Sequence, residues 1–293
     1  MSLSHSTLPR SVNLVHVRAP RDLERVDPAL RESLPRLAAL DDPTAIGAAV
    51  LALLVTADSP SEREAWDDVA RDLALAGRLF GDLAALPRPR RLPWFEHLAR
   101  RLAPEPVPVR HAVIDCARRI MTADGVVSPL DQLRWVALRH LMAGSAVAPP
   151  AAAHTDLETM DDAIAHQVCA YSAFLSQLVP APEVTLELAE FESVTQSWYD
   201  SVTAPWQGRL ALPVREVQDI DAALRALRVL QGMPWLLRPV LVRTWFDAAR
   251  VLTDGPALHA DAADALRLSC VLLDSPVPPE LGRQYIEVDA ARQ

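Results

Sequence analysis

Lysine is absent from this chain, and all 29 of its basic residues are arginine. Beside abundant Ala, Leu and Pro, that is the composition a GC-rich bacterial genome produces. Thirty-eight acidic residues leave a net charge of −9. No run of basic residues is long enough to track a phosphate backbone. The densest cluster, Arg88, Arg90 and Arg91, falls in the proline-rich stretch LPRPRRLP. A nucleic-acid partner is therefore not expected. Glycine is scarce, at 9 residues, and apolar residues recur every three or four positions rather than every two, which argues against strands. Cysteine is limited to Cys116, Cys169 and Cys270, which are odd in number and lack metal-ligand spacing. They read as free thiols in a reducing compartment. The longest apolar stretch, Ala45 to Ala57, covers about 13 residues, where a membrane span needs about 20. It predicts a buried helix. The N-terminal MSLSHSTLPRSVNLVHV has no apolar core of signal-peptide length, so the expected location is the cytoplasm.

What is there points to helices. Half of the residues are apolar and 23% are charged, which places the chain among globular proteins rather than disordered ones. Helix starts are marked by Asp27-Pro28, Asp42-Pro43, Ser59-Pro60 and Ser128-Pro129. Each puts a capping side chain before a proline whose fixed φ suits the first helical turn. Ser59 with Glu62 has the form of a capping box. The pattern predicts helices near 28–39, 43–56, 60–76, 91–103, 107–122, 128–143, 156–178, 183–202, 216–231, 235–252 and 259–273. Proline-rich breaks are expected at 86–93, 144–154 and 203–213.

The strongest pattern is a repetition. An amphipathic helix runs into an Asp-Gly turn and a second helix leaves it, first at Asp124-Gly125 and again at Asp254-Gly255. Pro104 and Pro234, Asp124 and Asp254, and Asp131 and Asp261 are all separated by the same 130 residues. The expected fold is therefore all-α, a duplicated helical bundle of two related modules. The expected divisions are a partly extended segment 1–26, a first module 27–145, a second module 155–282 and a tail 283–293.

The segments RRIMTADGVVSPLDQLRWVALRHL and ARVLTDGPALHADAADALRLSCVLLDSPVPP resemble a helical, TerB-like module. It occurs in the C-terminal soluble region of bacterial membrane zinc metallopeptidases of the CAAX prenyl protease type. The stretch DPALRESLPRLAALDDPTAIGAAVLALLV resembles the start of that region, so the likeness spans roughly 27–280. The peptidase itself needs His-Glu-x-x-His to hold zinc. Here none of the eight histidines lies four residues from another. The resemblance thus implies the accessory region without its catalytic part: a non-enzymatic interaction or regulatory module. Its partner would be another protein, a membrane metallopeptidase among the candidates. A fragment of a longer metallopeptidase is a further alternative.

The TerB-like side of the resemblance implies a different use for the aspartates. Asp124 with Asp131, and Asp254 with Asp261, each pair two carboxylates seven residues apart across a turn, as ligands for Ca²⁺ or Mg²⁺. Ordinary turn and cap chemistry is the simpler account of the same residues, because Gly supplies a positive φ and Asp131 follows Ser128 by three. No catalytic residue and no organic cofactor is expected. The tryptophans at helical spacing (Trp94, Trp135, Trp198, Trp235 and Trp245) read as core, while Trp206, in the loop TAPWQGR, reads as the exposed one. The acidic run Glu183, Glu187, Glu190 and Glu192, with Asp200, reads as a solvated helix face.

Overall fold

A computed structural model of the protein describes residues 28–143, 156–179, 188–210, 219–253 and 257–288. Among these residues there are thirteen α-helices and no strand. In chain order they are α1 (Pro28–Ala38), α2 (Pro43–Leu54), α3 (Pro60–Val69), α4 (Ala76–Ala84), α5 (Arg88–Arg101), α6 (Val107–Met121) and α7 (Pro129–Ala143). There follow α8 (Asp162–Leu175), α9 (Leu188–Thr203), α10 (Ile220–Gln231), α11 (Leu237–Val251), α12 (Ala260–Leu272) and α13 (Pro279–Gly282).

The helix starts follow their caps. Asp42 accepts from the Ala45 amide at 2.9 Å, and Asp219 does the same for Ala222 at 2.7 Å. At α3 only half of the expected box closes. Ser59 accepts from the Glu62 amide at 3.4 Å, but the Glu62 carboxylate turns back to the Thr56 amide at 2.6 Å. The helix expected over 60–76 stops at Val69, and a separate α4 follows. Gly77 and Gly81 lower the intrinsic helix preference of that segment, which hid it from pattern reading.

Two helices are buried on nearly every side and form the centres of the packing. In α2 every residue from Ile46 to Leu54 is buried, as the apolar stretch predicts, and α3, α4, α5 and α6 pack around it. In α12 every residue from Ala262 to Leu272 is buried, and α7 and α11 pack against it. Helix α7 also meets α5 and α6, so the segments expected as first and second modules are joined through α7 and α12. Helix α8 pairs with α10, and α9 with α11, which joins this group to α12.

Three buried tryptophans find partners for their N–H groups, whereas the Nε1 of the equally buried Trp94 has none among the described residues. Trp66 donates to the Ala48 carbonyl at 2.9 Å, Trp198 to that of Trp245 at 3.2 Å, and Trp245 to Ser172 Oγ at 2.9 Å. Trp206, expected to be exposed, is instead fully buried and donates to the Leu157 carbonyl at 3.0 Å. A 3₁₀ turn over Ala204–Trp206 carries the ring inward. Trp235, expected in the core, is 73% exposed because it precedes α11 rather than lying on its buried face.

The stretch read as a proline-rich break at 86–93 is the start of α5. Pro93 lies inside that helix and has no N–H for the carbonyl of Pro89, four residues earlier. The Ile286 amide supplies the missing bond, at 3.0 Å. The C-terminal segment therefore crosses α5 as a strap. Beside it, Arg267 of α12 grips both Glu96 of α5 (Nε–Oε1 2.6 Å) and Glu287 (Nη1–Oε1 2.6 Å), with its guanidinium 4.6 Å from the centre of the Tyr285 ring.

Candidate functional site

The sequence singles out Asp124, Asp131, Asp254 and Asp261. Asp254 lies outside the described residues. The other three line one cavity of about 690 Å³. The end of α2, the first half of α5, the turn before α7 and the start of α12 surround it. Its apolar wall includes Leu54, Leu92, Phe95 and Leu130, and its polar floor is built from Arg88, Arg91, Arg134, Asp131, Asp261 and Asp264.

Asp124 stands at the rim, exposed. Its Oδ1 accepts from the Val126 amide at 3.0 Å, and Gly125 takes φ +81°, so the pair makes the Asp-Gly turn its residue types predict. Asp131 closes a capping box at α7. It accepts from the Ser128 hydroxyl at 2.6 Å and from the Ser128 amide at 3.3 Å, while its own amide donates to Ser128 Oγ at 3.1 Å. Its other oxygen accepts from Arg134 Nη1 at 3.3 Å. Asp261, in the first turn of α12, pairs with Arg88 across 173 positions of sequence.

One further carboxylate of the cavity, Asp264, reads from the sequence only as an acid in the first turn of its helix. Asp264 is a buried part of that floor, accepts from the Tyr285 hydroxyl at 2.9 Å, and has Arg134 at 3.5 Å and Arg88 at 3.9 Å. Burial pushes its pKa above the ordinary carboxylate value, and Arg134 is the main opposing influence. Arg91 shares the cavity floor with Arg88 and Arg134. Burial first, and then those two cations, hold its guanidinium below the ordinary value. It forms no hydrogen bond with a described residue. Arg134 and Asp264 each lie three residues after a predicted aspartate, on the same helix face. That spacing was the available signal. Arg88 and Arg91 were hidden because their stretch read as a linker.

The arrangement interleaves carboxylates with guanidiniums. Asp131, Asp261 and Asp264 each spend oxygens on arginine, on a cap or on Tyr285. A divalent cation there would compete with Arg88 and Arg134 for the same lone pairs. No group of three or more His, Cys, Asp or Glu side chains with metal-binding geometry occurs among the described residues. His111 and Asp115, an i, i+4 pair on α6, are both exposed. Glu192 and Asp200 lie on the exposed side of α9, while Glu183 and Glu187 fall outside the described residues. Cys169 and Cys270 are buried and their thiols are pushed up to about 12 by desolvation, so both are poor nucleophiles.

Compared with models of protein families, with curated proteins and with solved structures, the chain matches none of them. No described helix is long and apolar enough to cross a membrane.

Proposed function

We propose that this protein is a non-enzymatic helical interaction module, made of two related units, that docks another protein through the beginning of α11. The carrying observation is an apolar surface at that point. Trp235 is 73% exposed, Leu236 62% and Val240 47%. Leu236 and Val240 are four residues apart and share one helix face. Isolated exposed apolar residues are ordinary. An exposed tryptophan beside two aliphatic side chains is the composition of a binding hot spot.

The duplication is supported by the helices that precede the two Asp-Gly pairs of the sequence. Helix α6 (Val107–Met121) and helix α11 (Leu237–Val251) are both 15 residues long and start 130 residues apart. The resemblance to the accessory region of membrane metallopeptidases makes a protein of that class the first partner to try. The test is affinity purification of the intact chain from its host, beside a Trp235→Glu, Val240→Glu variant. A discrete partner retained by the parent and lost by the variant is expected. Identical sets of co-purifying proteins would refute the reading.

A further inference from the structure

A second cavity, of about 510 Å³, lies between α6, α7 and α10, within the range of roughly 300–1,000 Å³ common for small-ligand sites. Each of the three helices contributes one arginine to it: Arg110 from α6, Arg139 from α7 and Arg228 from α10. His111 and His140 add to these, and no Asp or Glu occurs among the described lining residues. In a chain of net charge −9 that lining runs against the general balance.

These arginines differ from those of the first cavity. There, Arg88 and Arg134 are tied to carboxylates. Here Arg110 donates through Nη1 to the Met142 carbonyl, while its Nε is buried without a partner. Arg139 is exposed, with its guanidinium 4.6 Å from the centre of the Trp135 ring. Arg228 is exposed and forms no ion pair with a described carboxylate. One acid does reach the edge of the group: Asp274 holds His140 through Nε2 at 3.0 Å. Apart from Gln231, whose amide donates to the Leu272 carbonyl at 2.8 Å, the rest of the surface is apolar and includes Ile114, Val136, Leu224 and Leu227.

We propose that this cavity binds a small organic phosphate, with the phosphoryl oxygens on the three arginines and an apolar body against the leucines. A single carboxylate is satisfied by one guanidinium fork. Three guanidiniums arriving from three helices suit a dianion with three equivalent oxygens. The apolar surface gives no purchase to inorganic phosphate but covers a ring or short chain. The site shares no residue with the docking surface at Trp235, so the two readings stand or fall separately.

Calorimetric titration of the full chain with phenyl phosphate, inorganic phosphate and benzoate tests this. Phenyl phosphate is expected to bind most tightly, with each of the other two at least about tenfold weaker. Its affinity should fall as salt rises. Arg228→Ala and Arg139→Gln alter exposed side chains, and each is expected to weaken phenyl phosphate about tenfold or more, the worth of a charge-assisted hydrogen bond. Arg228→Glu is expected to abolish binding. No binding of phenyl phosphate overturns the proposal. So does equal binding of inorganic phosphate or benzoate, or unchanged affinity in the Arg228 variants.

Discussion

Asp82 joins two helices through a single carboxylate. It accepts from Arg36 Nε at 2.8 Å and Nη2 at 2.5 Å, and from Ser33 Oγ at 3.2 Å, so it ties α4 to α1. The Arg36 hydrogen bonds, against partial burial and with help from Ser33, hold its pKa below the ordinary carboxylate value. A depressed folded pKa means that the unfolded chain binds the proton more readily. The stabilisation is therefore complete above the ordinary value of about 4 and is lost as pH falls through the lowered one. Asp82→Asn should lower the thermal midpoint at neutral pH. The gap to the parent should close as the solution is acidified below pH about 4. Circular-dichroism melts across that range read the difference. A gap that stays constant with pH would show that Asp82 acts through packing alone.

Helix α12 is buried on every side and still carries charge. Arg267 and Glu96 are both almost fully buried, with side-chain exposures of 4% and 6%. The pair keeps the helix in place because each charge satisfies the other. Losing one partner leaves the other's buried charge to an exposed residue alone, Arg100 for Glu96 or Glu287 for Arg267. Arg267→Leu is expected to cost about 3–5 kcal/mol. Arg100→Ala, which removes an exposed partner of the same Glu96, should cost less than about 1 kcal/mol. Urea titration of both variants gives the comparison, and similar losses would mean that the pair is not the element's anchor. The end of α12 is equally specific. Ser275 and Asp274 donate back to the carbonyls of Cys270 and Val271, and Asp274 takes φ 48° where glycine is usual. Its carboxylate gains the contact with His140 that a glycine could not make.

Over the whole molecule, the C-terminal strap closes one face. It supplies the Ile286 amide to Pro89, the Tyr285 hydroxyl to Asp264 and the Glu287 carboxylate to Arg267. These contacts reach α5 in the first half of the chain and α12 in the second. A chain ending at Pro278 would leave a helix carbonyl, a buried carboxylate and a buried guanidinium each short of a partner. The expected loss is about 3 kcal/mol or more, since each unsatisfied group costs of order 1–3 kcal/mol. Chemical denaturation of the shortened chain measures it. An unchanged midpoint would show that the strap lies on the surface without holding it.

Local chemistry was legible from the amino-acid sequence. The capping residues Asp42, Ser59 and Ser128, the all-apolar run that became α2, and the Asp124-Gly125 turn depend on neighbours a few positions away. Backbone geometry and hydrophobic periodicity determine them wherever the segment finally packs. The all-helical class follows from the same signals. Other features depended on partners far away in the chain. Asp261 meets Arg88, and Glu96 meets Arg267, across more than 170 positions. Pro93 could continue α5 only because the Ile286 amide reaches the carbonyl it leaves free. Trp206 and Trp235 exchanged their expected places because burial of a ring is set by what packs over it, not by the spacing around it. The aspartates were visible as a pattern, but the arginines that occupy them came together only when the helices packed.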